Sequence, residues 1–166
     1  MKLYLVRHGI AQDRLGGAVQ SDFQRPLTEE GKKETHMVAL ALKKLNVQPD
    51  LIVTSPLTRA EETAKILQEV LSSKHELAIA EALAPGGTTG AIFKFLEKFD
   101  QIQEIFLVGH EPDIGRLAGQ LLWCGSDFDM PFKKAGVCRI DLADLPPTSP
   151  GTLKWFLTPK IMNSLI

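Results

Sequence analysis

The sequence predicts a single α/β domain spanning residues 1–166, with a mostly parallel central sheet and helices on both faces. Three observations carry this. Short apolar runs alternate with longer amphipathic stretches of helical period along the chain. The length of 166 residues fits one ordinary domain. The composition, 44% hydrophobic and 23% charged, is that of a globular protein, with no repeat and no low-complexity segment. Strand–helix alternation calls for parallel strands buried on both faces.

Residues 2–6 read as the first strand. Residues 28–46 read as a helix: Thr28 is a cap, Glu29 and Glu30 suit its first turn, and Val38, Leu42 and Leu45 share a face. Pro49-Asp50 punctuates before a second strand, 51–54. Ser55-Pro56 then reads as a helix start, with Ser as cap and Pro at the first helical position, for a helix reaching Leu71. A third strand is expected over 76–80, Gly86-Gly87-Thr88 as a loop, and a helix over 91–99. A fourth strand over 104–108, a helix over 112–123 and late strands over 137–142 and 153–157 complete the pattern.

Composition also excludes. A formal charge of −1 exerts no global pull on nucleic acid or acidic membranes, so an anion must be captured by a local cluster. The apolar stretch at the start is too short for a signal peptide, and no run approaches the ~18 residues of a membrane span. A cytoplasmic protein is expected, with Cys124 and Cys138 reduced and serving as packing residues. Phe93, Phe95, Trp123 and Trp155 read as core and Lys133-Lys134 as a solvated loop. His36 has Lys32 and Leu40 at i±4 and His75 lies in a polar turn, so no metal and no cofactor is expected.

The polar residues that end the strands point to chemistry. Arg7-His8-Gly9 follows the first strand, Thr54-Ser55 and then Arg59 the second, Glu81 the third, and Gly109-His110-Glu111-Pro112 the fourth. In a parallel sheet these strand ends share one rim, where such folds place their sites. Arg presents a planar fork suited to phosphate oxygens. Neutral imidazole is a nucleophile near pH 7. Two Arg and two His with no acidic partner in the same turns make a concentrated anion site. Gly9 suits a sharp turn close to a bound group.

Arg7-His8-Gly9, Ser55-Pro56-Leu57-Thr58-Arg59-Ala60 and Val108-Gly109-His110 together resemble the motifs of the histidine phosphatase (phosphoglycerate mutase-like) superfamily. Arg25-Pro26-Leu27-Thr28-x-x-Gly31, Glu81-x-Leu83-x-Pro85 and His110-Glu111-Pro112 are most similar to its SixA-type phosphohistidine phosphatases, which are similarly short. The resemblance implies that His8 takes the phosphoryl group, that Arg7 and Arg59 hold its oxygens, that His110 binds the same group, and that Glu81 stands where many members keep a proton donor. The mutases continue after R-H-G with Glu-Ser/Thr-x-x-Asn. Here the chain reads Ile10-Ala11-Gln12-Asp13, which speaks against sugar-phosphate mutase activity. The expected function is removal of phosphate from protein phosphohistidine through His8. The partner would be a phosphorylated protein or a small phosphorylated molecule, without nucleic acid or membrane. The alternatives are a phosphatase of a small metabolite and a non-catalytic phosphate-binding module.

Overall fold

The computed structural model describes residues 1–13, 21–99, 101–123 and 130–166; Cys124 and the side chain of Trp123 lie outside them. Six strands form one sheet: β1 (Lys2–Arg7), β2 (Leu51–Thr54), β3 (Ala78–Ile79), β4 (Glu104–Gly109), β5 (Val137–Asp141) and β6 (Thr152–Leu157). Their order is β3-β2-β4-β1-β5-β6. The first four pair in parallel, whereas β5 runs antiparallel to β1 and β6 antiparallel to β5. The sheet is thus mixed but mostly parallel, as the alternation predicts.

Strand residues alternate between two cores because successive side chains point to opposite faces. Leu3 and Leu5, Ile105 and Leu107, and Leu51 and Val53 enter one core. There they meet Ile92 and Leu96 of α3 (Thr89–Leu96) and Ile114 and Leu117 of α4 (Asp113–Trp123). Tyr4, Val6, Phe106, Val108 and Ile52 enter the other. That core is closed by Val38 and Leu42 of α1 (Glu29–Lys44), Ala64 and Leu67 of α2 (Thr58–Leu71), and Met162 of α5 (Pro159–Asn163). Full burial of one such aliphatic side chain contributes about 1.5–3 kcal/mol, so the central strands are held from both faces.

Local signals decide several boundaries. Thr28 caps α1, its hydroxyl accepting from Gly31 N at 2.9 Å. Leu45 does not join Val38 and Leu42: α1 stops at Lys44, Asn46 turns left-handed at φ 56°, and Leu45 is left 42% exposed. Ser55 is not the cap of the second helix. Leu57, with extended dihedrals, precedes the first helical residue, Thr58, which lies three residues beyond Ser55. The third strand is only two residues long, and α3 ends in a 3-10 turn over Glu97–Phe99. Phe93, Phe95 and Trp155 pack against the cores and Cys138 is buried, as expected. No helix among the described residues is long and apolar enough to cross a membrane.

Parallel pairing sets Arg7 opposite Gly109 and Thr54 opposite Val108. The carboxyl ends of β1, β4 and β2, adjacent in the sheet, therefore deliver His8, His110 and Ser55 to one edge. This is also where the chain reverses direction across the sheet, moving outward from β1 to β2 and β3 and then returning to β4 between them.

Candidate active site

His8 leaves β1 and is 8% exposed. Its Nδ1 lies 2.7 Å from Gly9 O, and Arg59 Nε lies 3.3 Å from its Nε2. A carbonyl only accepts and a guanidinium only donates, so both contacts select one tautomer. Nδ1 carries the proton and Nε2 the lone pair. Burial, reinforced by the charges of Arg59 and Arg7, pushes the His8 pKa down to about 3 despite the opposing bond to Gly9. The ring is neutral at pH 7 and its Nε2 is nucleophilic.

His110 stands 5.0 Å away, centroid to centroid, at 53°. Its Nε2 lies 2.8 Å from Ser55 Oγ, and that hydroxyl also accepts from Leu57 N at 3.3 Å. Ser55 thereby ties the end of β2 to the end of β4. Burial pushes the His110 pKa down to about 4, with the nearby Arg59 acting in the same direction.

Arg59 is the second residue of α2 and is 4% exposed. Its position in the first turn, against the helix dipole, is offset by a carboxylate. Nη2 lies 3.2 Å from Asp22 Oδ2 and Nη1 2.7 Å from Asp22 O. Asp22 also receives Arg25, at 2.8 Å. The sequence reading placed no acidic partner in the same turns as the two Arg and two His, and Asp22 comes to Arg59 from a different turn. A 3-10 turn over Asp22–Gln24 folds a carboxylate onto Arg59 across 37 residues of sequence. Arg7 donates to Phe132 O at 2.6 Å. Among the described residues, its Nε and His110 Nδ1 are buried without a hydrogen-bond partner. Each such nitrogen costs about 1–3 kcal/mol, a penalty that native structures concentrate at functional sites.

These side chains line a cleft of about 300 Å³. Arg7, His8, Arg59 and His110 are brought together there, joined by Arg25 and Lys134 and by the carboxylates of Asp13, Asp22 and Glu111. Glu81 is not brought in: it is exposed, opens a 3-10 turn over Glu81–Leu83, and does not line the cleft. Gly9 serves a close approach, but toward protein. A Cβ there would lie 2.6 Å from Thr35 Oγ1 of α1, and Gly9 N donates to Thr63 of α2 at 3.0 Å. Among the described residues no group of three His, Cys, Asp or Glu is placed to hold a metal ion.

The family model for the histidine phosphatase superfamily (branch 1) matches residues 3–84, the stretch that carries Arg7, His8 and Arg59. The chain belongs to the histidine phosphatase superfamily. Phosphohistidine phosphatase SixA of Escherichia coli (strain K12) is 27% identical over 161 residues, covering 96% of this chain and 94% of that protein. An uncharacterized protein of Picosynechococcus sp. is 39% identical over 139 residues, 82% of each chain. The structure of the protein histidine phosphatase SixA complexed with tungstate superposes with a TM-score of 0.83 at 26% identity, covering 96% of this chain and 98% of that one.

Sequence reasoning assigned no site role to Asp22, Arg25, Glu111, Lys134 or Ser55. Arg25 and Glu111 stood inside quoted motifs, and a basic residue three places before a helix cap was an available signal. Asp22 and Lys134 reach the cleft only through tertiary contacts.

Proposed function

We propose that the protein is a cytoplasmic phosphatase working through a phosphorylated His8, and that its substrate is phosphohistidine on a protein. The hydrogen bond from His8 Nδ1 to Gly9 O carries the reading, because it holds the Nε2 lone pair toward the guanidinium of Arg59. In the first step a bond forms between Nε2 and phosphorus while the bond from phosphorus to the substrate nitrogen breaks. The departing imidazole takes a proton. In the second step water attacks phosphorus, its proton is lost to solvent, and the lone pair returns to Nε2. Arg7 and Arg59 hold the transferring oxygens, with His110 beside them. Such charge stabilisation and positioning dominate phosphoryl transfer.

An imidazole leaving group can be protonated from solvent, so the exposed position of Glu81 is no obstacle to phosphohistidine. The likeness to SixA along nearly the whole of both chains supports the same substrate. A small phosphorylated metabolite is the second reading, and Glu111 and Asp13 favour it: they line the cleft, and a carboxyl there in its protonated form would serve as the acid that an alkoxide leaving group needs.

The test compares kcat/KM for a phosphohistidine protein, a phosphoserine peptide, sugar phosphates and p-nitrophenyl phosphate. Phosphohistidine is expected to lead, and Glu81→Gln to leave its single-turnover rate intact. Rapid quench should trap an acid-labile, base-stable phosphoenzyme in the wild type and none in His8→Ala. An active His8→Ala enzyme would overturn the mechanism. A lead for sugar phosphates would move the assignment to the metabolite reading.

A further inference from the structure

A second cleft, of about 570 Å³, opens beside the catalytic one, and the two share Arg7 and Lys134 in their walls. Its lining includes Ile10 and Pro159, and its charged lining is completed by Lys133, Lys160 and Glu34. Among the described residues four cations therefore line it with one carboxylate, in a chain whose net charge is −1. We infer that this groove is the docking site for an acidic polypeptide segment flanking the phosphorylated residue of a protein substrate, an inference that rests on the phosphohistidine reading above.

The basic wall is held in register with the nucleophile. Ala135 N donates to Arg7 O at 3.1 Å and to His8 O at 3.2 Å, and Gly136 N returns to Lys133 O at 2.8 Å. This closes a tight turn with Ala135 left-handed at φ 54°. A Cβ on Gly136 would lie 2.8 Å from Lys133 O, so the turn requires glycine there. Arg7 anchors the preceding residue through Phe132 O. On the opposite side Lys160 belongs to α5, which is seated in the core by Met162. The turn read from sequence as a solvated loop is exposed, but it is bolted to the catalytic strand. The catalytic cleft, about 300 Å³, is the smaller of the two. The adjoining groove, larger and lined by both apolar and basic side chains, matches a polypeptide with carboxylate side chains.

The test uses two peptides, each with one stable phosphoryl-triazolylalanine in place of phosphohistidine, flanked by glutamates in one and lysines in the other. Fluorescence anisotropy with the full chain at about 50 mM salt should show the glutamate peptide binding roughly tenfold tighter, and about 0.5 M salt should collapse the difference. Lys133→Glu/Lys160→Glu should abolish the preference while kcat/KM for p-nitrophenyl phosphate is unchanged, which also reports that the variant folds. Equal binding of both peptides by the wild type overturns the docking site and leaves the phosphohistidine reading standing. A preference that survives the double variant also overturns it. If neither peptide binds while p-nitrophenyl phosphate is hydrolysed, the substrate reading falls and the docking site with it. Should the double variant not fold, the peptide pair and its salt dependence on the wild type decide the matter.

Discussion

At the scale of the residue, burial of two imidazoles has a consequence for stability. His8 and His110 are 8% and 3% exposed, with pKa values pushed down to about 3 and about 4. In the unfolded chain a histidine titrates near 6.5. Between that value and the folded pKa the unfolded state binds more protons, so stability is full above about pH 6.5 and falls as pH drops toward 4. The slope is about 1.4 kcal/mol per pH unit for each histidine. Urea unfolding should therefore show a loss of about 4 kcal/mol between about pH 7 and about pH 5, and His8→Asn should remove roughly half of that loss. A pH dependence that His8→Asn leaves untouched would mean His8 is not held neutral by the fold.

At the scale of the element, the start of α1 sits directly on the loop that carries the nucleophile. A Cβ at Gly31 would lie 2.1 Å from Ile10 O. That carbonyl cannot easily retreat, because it accepts from Thr28 N at 2.9 Å and faces Thr28 Oγ1 at 3.3 Å. Gly31→Ala should cost about 1–3 kcal/mol by overpacking, although Ala is the better helix former, and should lower kcat by displacing His8. Gly90 in α3 is the opposite case, with open space where its Cβ would stand. Gly90→Ala should be neutral or stabilising by up to about 1 kcal/mol. Thermal unfolding of the two variants checks the sign of each effect.

At the scale of the whole molecule, the cleft exists only when the ends of three parallel strands, the start of α2, the turn at residues 22–24 and the turn at 133–136 are assembled. An anion that fits it binds the folded state alone. Vanadate at a hundred times its dissociation constant should stabilise the protein by about 2.7 kcal/mol, read as a rise in Tm. Arg59→Ala should lose most of that protection. Arg116→Ala should keep it, since Arg116 lies 61% exposed on α4 outside the cleft. Equal protection of both variants would place the anion elsewhere.

The sequence alone determined the α/β class, the four parallel strands, the cap of α1 and the set Arg7, His8, Arg59 and His110. Each is a local signal: apolar period, a hydroxyl before a helical run, or polar residues where an apolar strand stops. The family resemblance was also legible there, because its motifs are short and lie at those strand ends. The antiparallel direction of β5 and β6 was not legible, since a strand's period is the same in either direction. Nor was the use of Ser55, whose hydroxyl serves His110 across 55 residues instead of capping its own helix. Asp22 on Arg59, Lys134 beside Arg7 and the exposed placement of Glu81 were likewise decided by tertiary structure. Which charges share a cleft depends on how distant turns fold over the strand ends, and sequence spacing does not encode that distance.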